Sequence, residues 1–432
     1  MCHDTNKAFL TILTEPELFD YLTASEKLEL SLTCKFLYNK TVNYMRRDLL
    51  LDFGKKPIFF NDYNIKTIFT IQLTQNQLRY LNQIPSNYGQ RTKTLTIKLG
   101  RYYPILLDLT KQFNNLTKLE LRHSIIDSGT LQILLDNFSN LKALTLHQIF
   151  ICYPPTQAPP LVFNFPNTLQ KLMINGCYQL ECDVSDPVSI NLQWTRFATS
   201  PLIDLIIDSA KITSLKKLSI LKRVNNNLTR MINQFIENNS SLTSIEADLL
   251  CLNQQSFTCI TNNQNLEHLS LYINGTLSEL NINYSIPLLN IKKLTCTINT
   301  RFTFGNLTKL LNSMPNLEYF EYNLVLQIQE DFLSCFQGLR MLKKLKIKTN
   351  YLNPANLMLP FAKCNLEAIE LCEFNPLELD WNVFGQLKEL KTVRLVSSQN
   401  GDFVSEKAKG VYNRLKGWKV CFVGGSINCL KL

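Results

Sequence analysis

One motif constrains this 432-residue chain more than any other feature: L-x-x-L-x-L, with conservative swaps, recurring along most of its length. Clear copies are LTKLEL from Leu116, LKALTL from Leu141, LQKLMI from Leu169, LKKLSI from Leu215, LEHLSL from Leu266, LKKLKI from Leu342, LEAIEL from Leu366 and LKTVRL from Leu390. Weaker copies start at Thr92, Leu192, Leu242, Ile291, Leu317 and Leu415, giving 14 starts spaced 23 to 28 residues apart. A fixed period of this size means stacked supersecondary units. Each motif predicts a short strand with its leucines turned inward, and the residues between motifs return on the outer side. A single unit cannot bury its apolar face, but stacked neighbours can, at about 1.5–3 kcal/mol per buried leucine.

Between the motifs, DSGTLQILLDNF (127–138) and EDFLSCF (330–336) carry helical spacing. LIDLII from Leu202 also fits the motif but stands only 13 residues before Leu215. It reads as a helix instead, with Ser200 as N-cap, Pro201 in the first turn, and Leu202, Leu205 and Ile206 on one face. LQWTRF from Leu192 is then the strand of that repeat. Residues 152–166, CYPPTQAPPLVFNFP, hold five prolines and predict a non-helical, protruding loop.

The motif and its period resemble the leucine-rich repeat. That resemblance implies an α/β solenoid over residues 92–432, a horseshoe of short parallel strands with outer helices and loops. Leucine-rich repeats often place a small polar group eight residues after the start, bonding the turn backbone. Here that slot holds Ser124, Cys177, Ser200, Asn274, Asn299, Asn350 and Ser398. The mixture resembles the intracellular, cysteine-containing class.

Ahead of the array, ELFDYL (17–22) supplies Leu18, Phe19 and Leu22. Thr23 with Glu26 forms a capping box, and Leu28, Leu32 and Phe36 follow at helical spacing. LFDYL (18–22) and LSLTCKFLYN (30–39) resemble an F-box, with Leu10 and Thr11 where that family has Leu-Pro. The implied organisation is a small all-α F-box-like segment at 8–48, a linker or capping region at 49–91, and about 14 repeats over 92–432. The resemblance further implies a substrate receptor of a Skp–cullin–F-box ubiquitin ligase. Leu18, Phe19, Leu22, Leu28, Leu32, Cys34, Phe36 and Leu37 would then form the adaptor-facing and interhelical surface. The alternative is a leucine-rich scaffold unconnected to ubiquitin, whose N-terminal helices only cap the solenoid.

Positions three, five and seven of each motif should point to the concave face. Twelve of these residues are basic and five acidic, so much of the formal net charge of +10 falls there. Lys344, Lys346 and Lys348 share one strand, with Glu321 and Glu370 on the neighbouring strands. Together with His268, Tyr272, Lys293, Tyr319 and Arg394 they are the candidate substrate-binding residues, for an acidic or phosphorylated protein segment.

Apolar residues at 45% and charged residues at 19% exclude disorder as the global state. Thirteen cysteines without a C-x-x-C pair, and four histidines, read as reduced, buried small residues and not as a metal site. There is no G-x-S-x-G and no phosphate-cradling P-loop. FVGGSI (422–427) reads as a C-terminal turn, and His123 and His147 lack the partners of a catalytic group. A non-enzymatic protein without cofactors is expected. No regular interleaving of aromatic and basic residues favours nucleic acid. The N-terminus carries no signal-like apolar run, which predicts a soluble protein of cytoplasm and/or nucleus, away from membranes.

Overall fold

The computed structural model describes residues 48–52, 92–98, 113, 115–157, 161–181, 203–208, 211–221, 226–273, 286–298, 304–324, 338–348, 365–373, 377, 379, 381–396, 409–410, 412–413, 415–423 and 426–432. The adaptor-facing positions from Leu18 to Leu37, the strand expected at 192–197 and the helix expected at 330–336 lie outside the described residues. The chain divides into two units, Met1–Ser214 and Leu215–Leu432.

In chain order, the first unit contains β1 (Asp48–Asp52), β2 (Thr94–Lys98), β3 (Lys118–Arg122), β4 (Ile125–Asp127), α1 (Ser128–Asn137), β5 (Ala143–His147), β6 (Phe150–Tyr153), β7 (Leu161–Val162), β8 (Lys171–Asn175), β9 (Tyr178–Glu181), β10 (Ile203–Asp204) and β11 (Ile207–Asp208). Strands β1, β2, β3, β5 and β8 run parallel in unbroken register: Asp48 pairs with Thr94, Thr94 with Lys118, Lys118 with Ala143, and Ala143 with Lys171. Each of β2, β3, β5 and β8 begins two residues after a motif start. The inward side chains Leu95, Ile97, Leu119, Leu121, Leu144 and Leu146 are at most 1% exposed. Strand β1 precedes the first motif copy, where the sequence suggested the end of a helical segment and a linker; it joins the sheet as one more parallel strand.

After three of these strands the backbone turns through a left-handed residue: His123 (φ 50°), Gln148 (φ 53°) and Gly176 (φ 62°). The amide of His123 donates to His147 O at 2.9 Å, and that of Gln148 to Asn175 O at 2.7 Å, so each turn rests on the next repeat. A Cβ on Gly176 would meet Gln148 Cγ at 3.3 Å, so both the dihedral and the close approach favour glycine there. The small polar slot follows at once. Ser124 Oγ donates to Arg122 O at 2.8 Å, and Cys177 Sγ contacts Leu146 O at 3.3 Å, as expected for that position.

A second sheet grows from these turns. Strands β4, β6 and β9 are parallel, with Ile125 opposite Phe150 and Phe150 opposite Tyr178, and β10 adds antiparallel to β9. The helix expected at 202–206 is therefore not formed: Ile203–Asp204 pairs with β9, and Ile207–Asp208 runs parallel to β7. Leu205 and Ile207 are 2% and 1% exposed, so the apolar residues are buried by strand pairing and not along a helical face. The described residues of the proline-rich stretch, 152–157 and 161–166, are non-helical, but they do not simply protrude. Tyr153, Leu161 and Phe163 are 3%, 0% and 2% exposed, and β7 lies within it. Helix α1 falls where expected, with Asp127 Oδ1 accepting from the Thr130 amide at 2.8 Å and Leu131, Leu134 and Leu135 buried.

The second unit contains β12 (Lys217–Leu221), α2 (Asn226–Asn238), β13 (Ser244–Asp248), α3 (Gln254–Asn262), β14 (His268–Ile273), β15 (Lys293–Ile298), α4 (Phe304–Asn312), β16 (Tyr319–Leu324), β17 (Lys344–Lys348), β18 (Ala368–Cys372), α5 (Trp381–Gln386), β19 (Thr392–Val396), β20 (Trp418–Val423) and β21 (Ser426–Lys431). Strands β12 to β19 are parallel and in register, from Lys217 opposite Ser244 to Ala368 opposite Thr392. The motif start at Leu415 does not lead to a further parallel strand. Strand β21 takes the place beside β19, antiparallel, and β20 pairs antiparallel with β21. Val423 pairs with Ser426 in that hairpin, and the two glycines of FVGGSI lie outside the described residues.

Side-chain hydrogen bonds join the repeats. The residue just before a motif start bonds the neighbouring turn: Ser241 Oγ to Leu215 O at 2.8 Å, Asn265 Nδ2 to Ser240 O at 2.9 Å, and Asn316 Nδ2 to Leu289 O at 2.9 Å. Thr168 Oγ1 does the same to Ser139 O at 2.8 Å in the first unit. Between α2 and α3, fully buried Ser256 donates to Asn233 Oδ1 at 2.6 Å while Asn253 caps α3. The cysteines at 152, 177, 251, 259, 296, 372 and 429 are buried, in keeping with their use as small apolar residues.

Candidate protein-recognition face

Strand register in the second unit arranges the solvent-facing residues in three rows. The first holds His268, Lys293, Tyr319 and Lys344. The middle row runs Glu246, Ser270, Thr295, Glu321, Lys346, Glu370 and Arg394. The third holds Tyr272, Thr297, Asn323 and Lys348. All eight candidate substrate-binding residues thus lie on one face of one unit, with neighbouring strands about 4.8 Å apart.

The three lysines of β17 are not equivalent. Lys346 Nζ lies 3.2 Å from Glu321 Oε1 and 3.4 Å from Glu370 Oε1. Burial opposes its charge, but Glu321 by field and hydrogen bond, with Glu370, more than offsets this and raises its pKa. Glu370 is shared with Arg394 at 3.5 Å. Lys344 and Lys348 point outward and make no ion pair among the described residues. Lys346 therefore braces the face, while its two neighbours on the strand remain open to a partner.

The tyrosine side has a different chemistry. Tyr319 OH donates to Glu321 Oε2 at 3.1 Å, and Lys293 Nζ sits 4.7 Å from the Tyr319 ring centroid. Burial, then the field of Glu321 and its hydrogen bond, push the Tyr319 phenol up to about 12. Tyr272 is likewise pushed to about 12 by burial and by Glu246, to which it is hydrogen-bonded. His268 Nδ1 lies 3.2 Å from Ser244 Oγ and Nε2 3.3 Å from Thr295 Oγ1. Burial, with Lys293 and Lys217 nearby, pulls its pKa down to about 4, so the ring is a neutral hydrogen-bonding link at neutral pH. Between the tyrosines, Ser270, Thr295 and Thr297 form a floor of small hydroxyls.

Positive charge is thus unevenly spread along the face. From β13 to β16 the outward charges are Glu246, Lys293 and Glu321, while Asp248 is buried as a cap on the Leu250 amide at 3.0 Å. From β17 to β20 they are Lys344, Lys346, Lys348, Arg394 and Lys419 against Glu370. Lys419 belongs to this face because it pairs with Leu430, which pairs with Thr392. A motif-wide charge count conceals that division, because it sums over strands.

The exposed second motif position carries a separate ladder. Lys292 pairs with Glu267 at 2.6 Å, Lys343 with Glu318 at 3.1 Å and Lys391 with Glu367 at 2.8 Å. These are exposed pairs of small individual worth. In the first unit, Arg122 is held by Glu120 at 2.7 Å, and Glu120 also accepts from Thr96 Oγ1 at 3.3 Å. His123 and His147 meet edge to face at 5.4 Å. Burial, then His123 and Arg122, lower the pKa of His147. Among the described residues no three His, Cys, Asp or Glu side chains gather as for a metal, and no helix is long and apolar enough to cross a membrane.

No family model matches the chain. It is 26% identical over 296 residues to an uncharacterized leucine-rich repeat-containing protein, AMV014/Q3, of Amsacta moorei entomopoxvirus. That match covers 66% of this chain and 53% of the viral protein, so the chain spans about half the length of the curated relative it matches. A crystal structure of the Rad7 and Elc1 complex in yeast includes a chain similar at 15% identity, with 81% of this chain and 96% of that one covered, at a TM-score of 0.37. The repeated parallel strands, their buried leucines and the named repeats of the viral relative agree: the fold is a leucine-rich-repeat array.

Proposed function

We propose that this chain is a non-catalytic recognition subunit of a Skp–cullin–F-box-type ubiquitin ligase, working in cytoplasm or nucleus. The observation that carries the reading is the F-box-like sequence at 18–39 standing ahead of a leucine-rich array. The array would hold a protein substrate on the second unit's face, where tyrosines and open cations lie side by side. The N-terminal helices would hold the Skp-type adaptor through Leu18, Phe19, Leu22, Leu28, Leu32, Cys34, Phe36 and Leu37. Ubiquitin transfer belongs to the partner enzymes, and this chain contributes geometry.

One observation favours a second reading, a scaffold unconnected to ubiquitin. Strand β1 begins soon after the F-box-like stretch in the sequence and pairs directly with β2, and the start of a strand ladder is where a solenoid needs a cap. Co-purification with a Skp-type adaptor, beside a Leu32→Asp/Phe36→Asp control, separates the two. Adaptor recovered with the intact chain and lost in a folded control supports the receptor. No recovery from a folded intact chain leaves the scaffold.

A further inference from the structure

The division of charge along the second unit's face points to the kind of segment it takes. We infer that the face binds one partner segment whose own charges are separated: a basic side chain over β14–β15 and an acidic cluster over β17–β19. This rests on reading the face as a protein-recognition surface, and is independent of the adaptor.

The basic end follows from what lines β13 to β16. Glu246 and Glu321 flank the hydroxyl floor of Ser270 and Thr295, and each carries a tyrosine phenol as hydrogen-bond donor. Lys293 already lies over the Tyr319 ring and Lys346 already pairs with Glu321, so the open acid and ring are Glu246 and Tyr272, a setting for a guanidinium or ammonium group that pairs with the one and lies against the other. An acidic group there would meet Glu246 and Glu321 directly. The acidic end follows from β17, where Lys346 is already satisfied by Glu321 and Glu370 while Lys344 and Lys348 are open. A partner carboxylate or phosphate needs no existing pair to be broken in order to reach them.

The separation sets the partner's geometry. From the middle of β14–β15 to β18 is about 17 Å at a strand spacing of about 4.8 Å. An extended segment covers this in about five residues and a helix in about eleven. A uniformly acidic chain, nucleic acid included, would satisfy one end and be repelled at the other.

The test is selection of a displayed random peptide library of about 16 residues on the full-length chain and on two variants. These are Lys344→Glu/Lys348→Glu and Glu246→Gln/Glu321→Gln, each checked for an unchanged unfolding midpoint. The intact chain should enrich, by about tenfold or more, peptides with an acidic cluster and a basic residue at one of the two spacings above. The first variant should lose the acidic preference and keep the basic one, and the second the reverse. Should a midpoint shift, Lys348→Gln and Glu246→Gln alone carry the same test with smaller changes. Purely acidic selections indifferent to Glu246 and Glu321 overturn the proposal. So does equal binding of a single-stranded oligonucleotide that survives the glutamate variants, or no enrichment by the folded chain. Failure of adaptor co-purification alongside successful peptide selection removes the ligase reading and leaves this one standing.

Discussion

The two units share a motif but leave it differently. In the first, the strand ends in a left-handed residue at His123, Gln148 or Gly176, and the chain starts a second small sheet. In the second, β13 ends at Asp248, whose carboxylate caps a 3-10 turn at Leu249–Cys251, and the chain proceeds to α3. Among the second unit's described residues only Glu373, at φ 67°, is left-handed directly after a ladder strand, while Gly417, at φ 79°, stands just before β20. The motif dictates the strand, and the few residues after it decide what returns. One kind of strand ladder can thus sit on two different outer layers, because the leucines are buried between neighbouring repeats in both.

The largest effect should show what the units have in common. Leu144→Ala and Leu294→Ala each empty a fully buried site, and each should lower stability by about 2–5 kcal/mol in denaturant titration. A much smaller loss in one unit would mean that its ladder is not the main source of its stability. Next, Ser256→Ala strips the α2–α3 contact of its shared hydroxyl and should cost about 1–3 kcal/mol, with hydrogen exchange rising in those two helices. Unchanged exchange would show that this hydroxyl does not hold the two helices together.

Gly176→Ala should destabilise the first unit by about 1–2 kcal/mol, since its φ of 62° disfavours a side chain and Gln148 crowds the site. The reverse change, Glu373→Gly in the second unit, should be near neutral or mildly stabilising in the same assay. Equal losses would show that the left-handed turn matters little to either. The smallest effect concerns pH. His268 has its folded-state pKa depressed from the ordinary 6.5 to about 4, so the unfolded chain binds more protons between those values. Its contribution is complete above about pH 6.5 and is lost as pH falls towards 4, with a slope of at most about 1.4 kcal/mol per pH unit. His268→Gln should flatten that slope. His147 in the first unit is depressed in the same sense, so its variant sharpens the comparison.

The strands were legible in the sequence because the leucines recur at a fixed period. From Thr92 to Leu390, each start outside the undescribed stretch at 192 leads to a strand two residues on. The second sheet was not legible in advance. Its strands, IID, FICY and YQLE, are short, and one runs straight into α1, which dominates the local pattern. Their equivalent places after Leu116, Leu141 and Leu169 were the available signal. LIDLII was misread because Leu202, Leu205 and Ile206 suit a helical face, whereas pairing with β9 and β7 decides the outcome. Among the face residues, the shared exposure of the lysines and tyrosines followed from strand alternation. Locking of Lys346 by two glutamates, and neutrality of His268, depend on cross-strand distances that no single motif contains.

The Glu–Lys ladder at the second motif position bears on how such an array can change in length. Glu267, Lys292, Glu318, Lys343, Glu367 and Lys391 alternate in sign over six consecutive repeats. Removing one interior repeat would bring two like charges side by side, whereas removing two adjacent repeats would keep the alternation. Each clash is small, a few tenths of a kcal/mol at an exposed site, but the rule is one of parity. Duplication and loss in this stretch are smoother by twos, so the two-repeat step is a natural unit of its evolution and of any attempt to shorten or lengthen it.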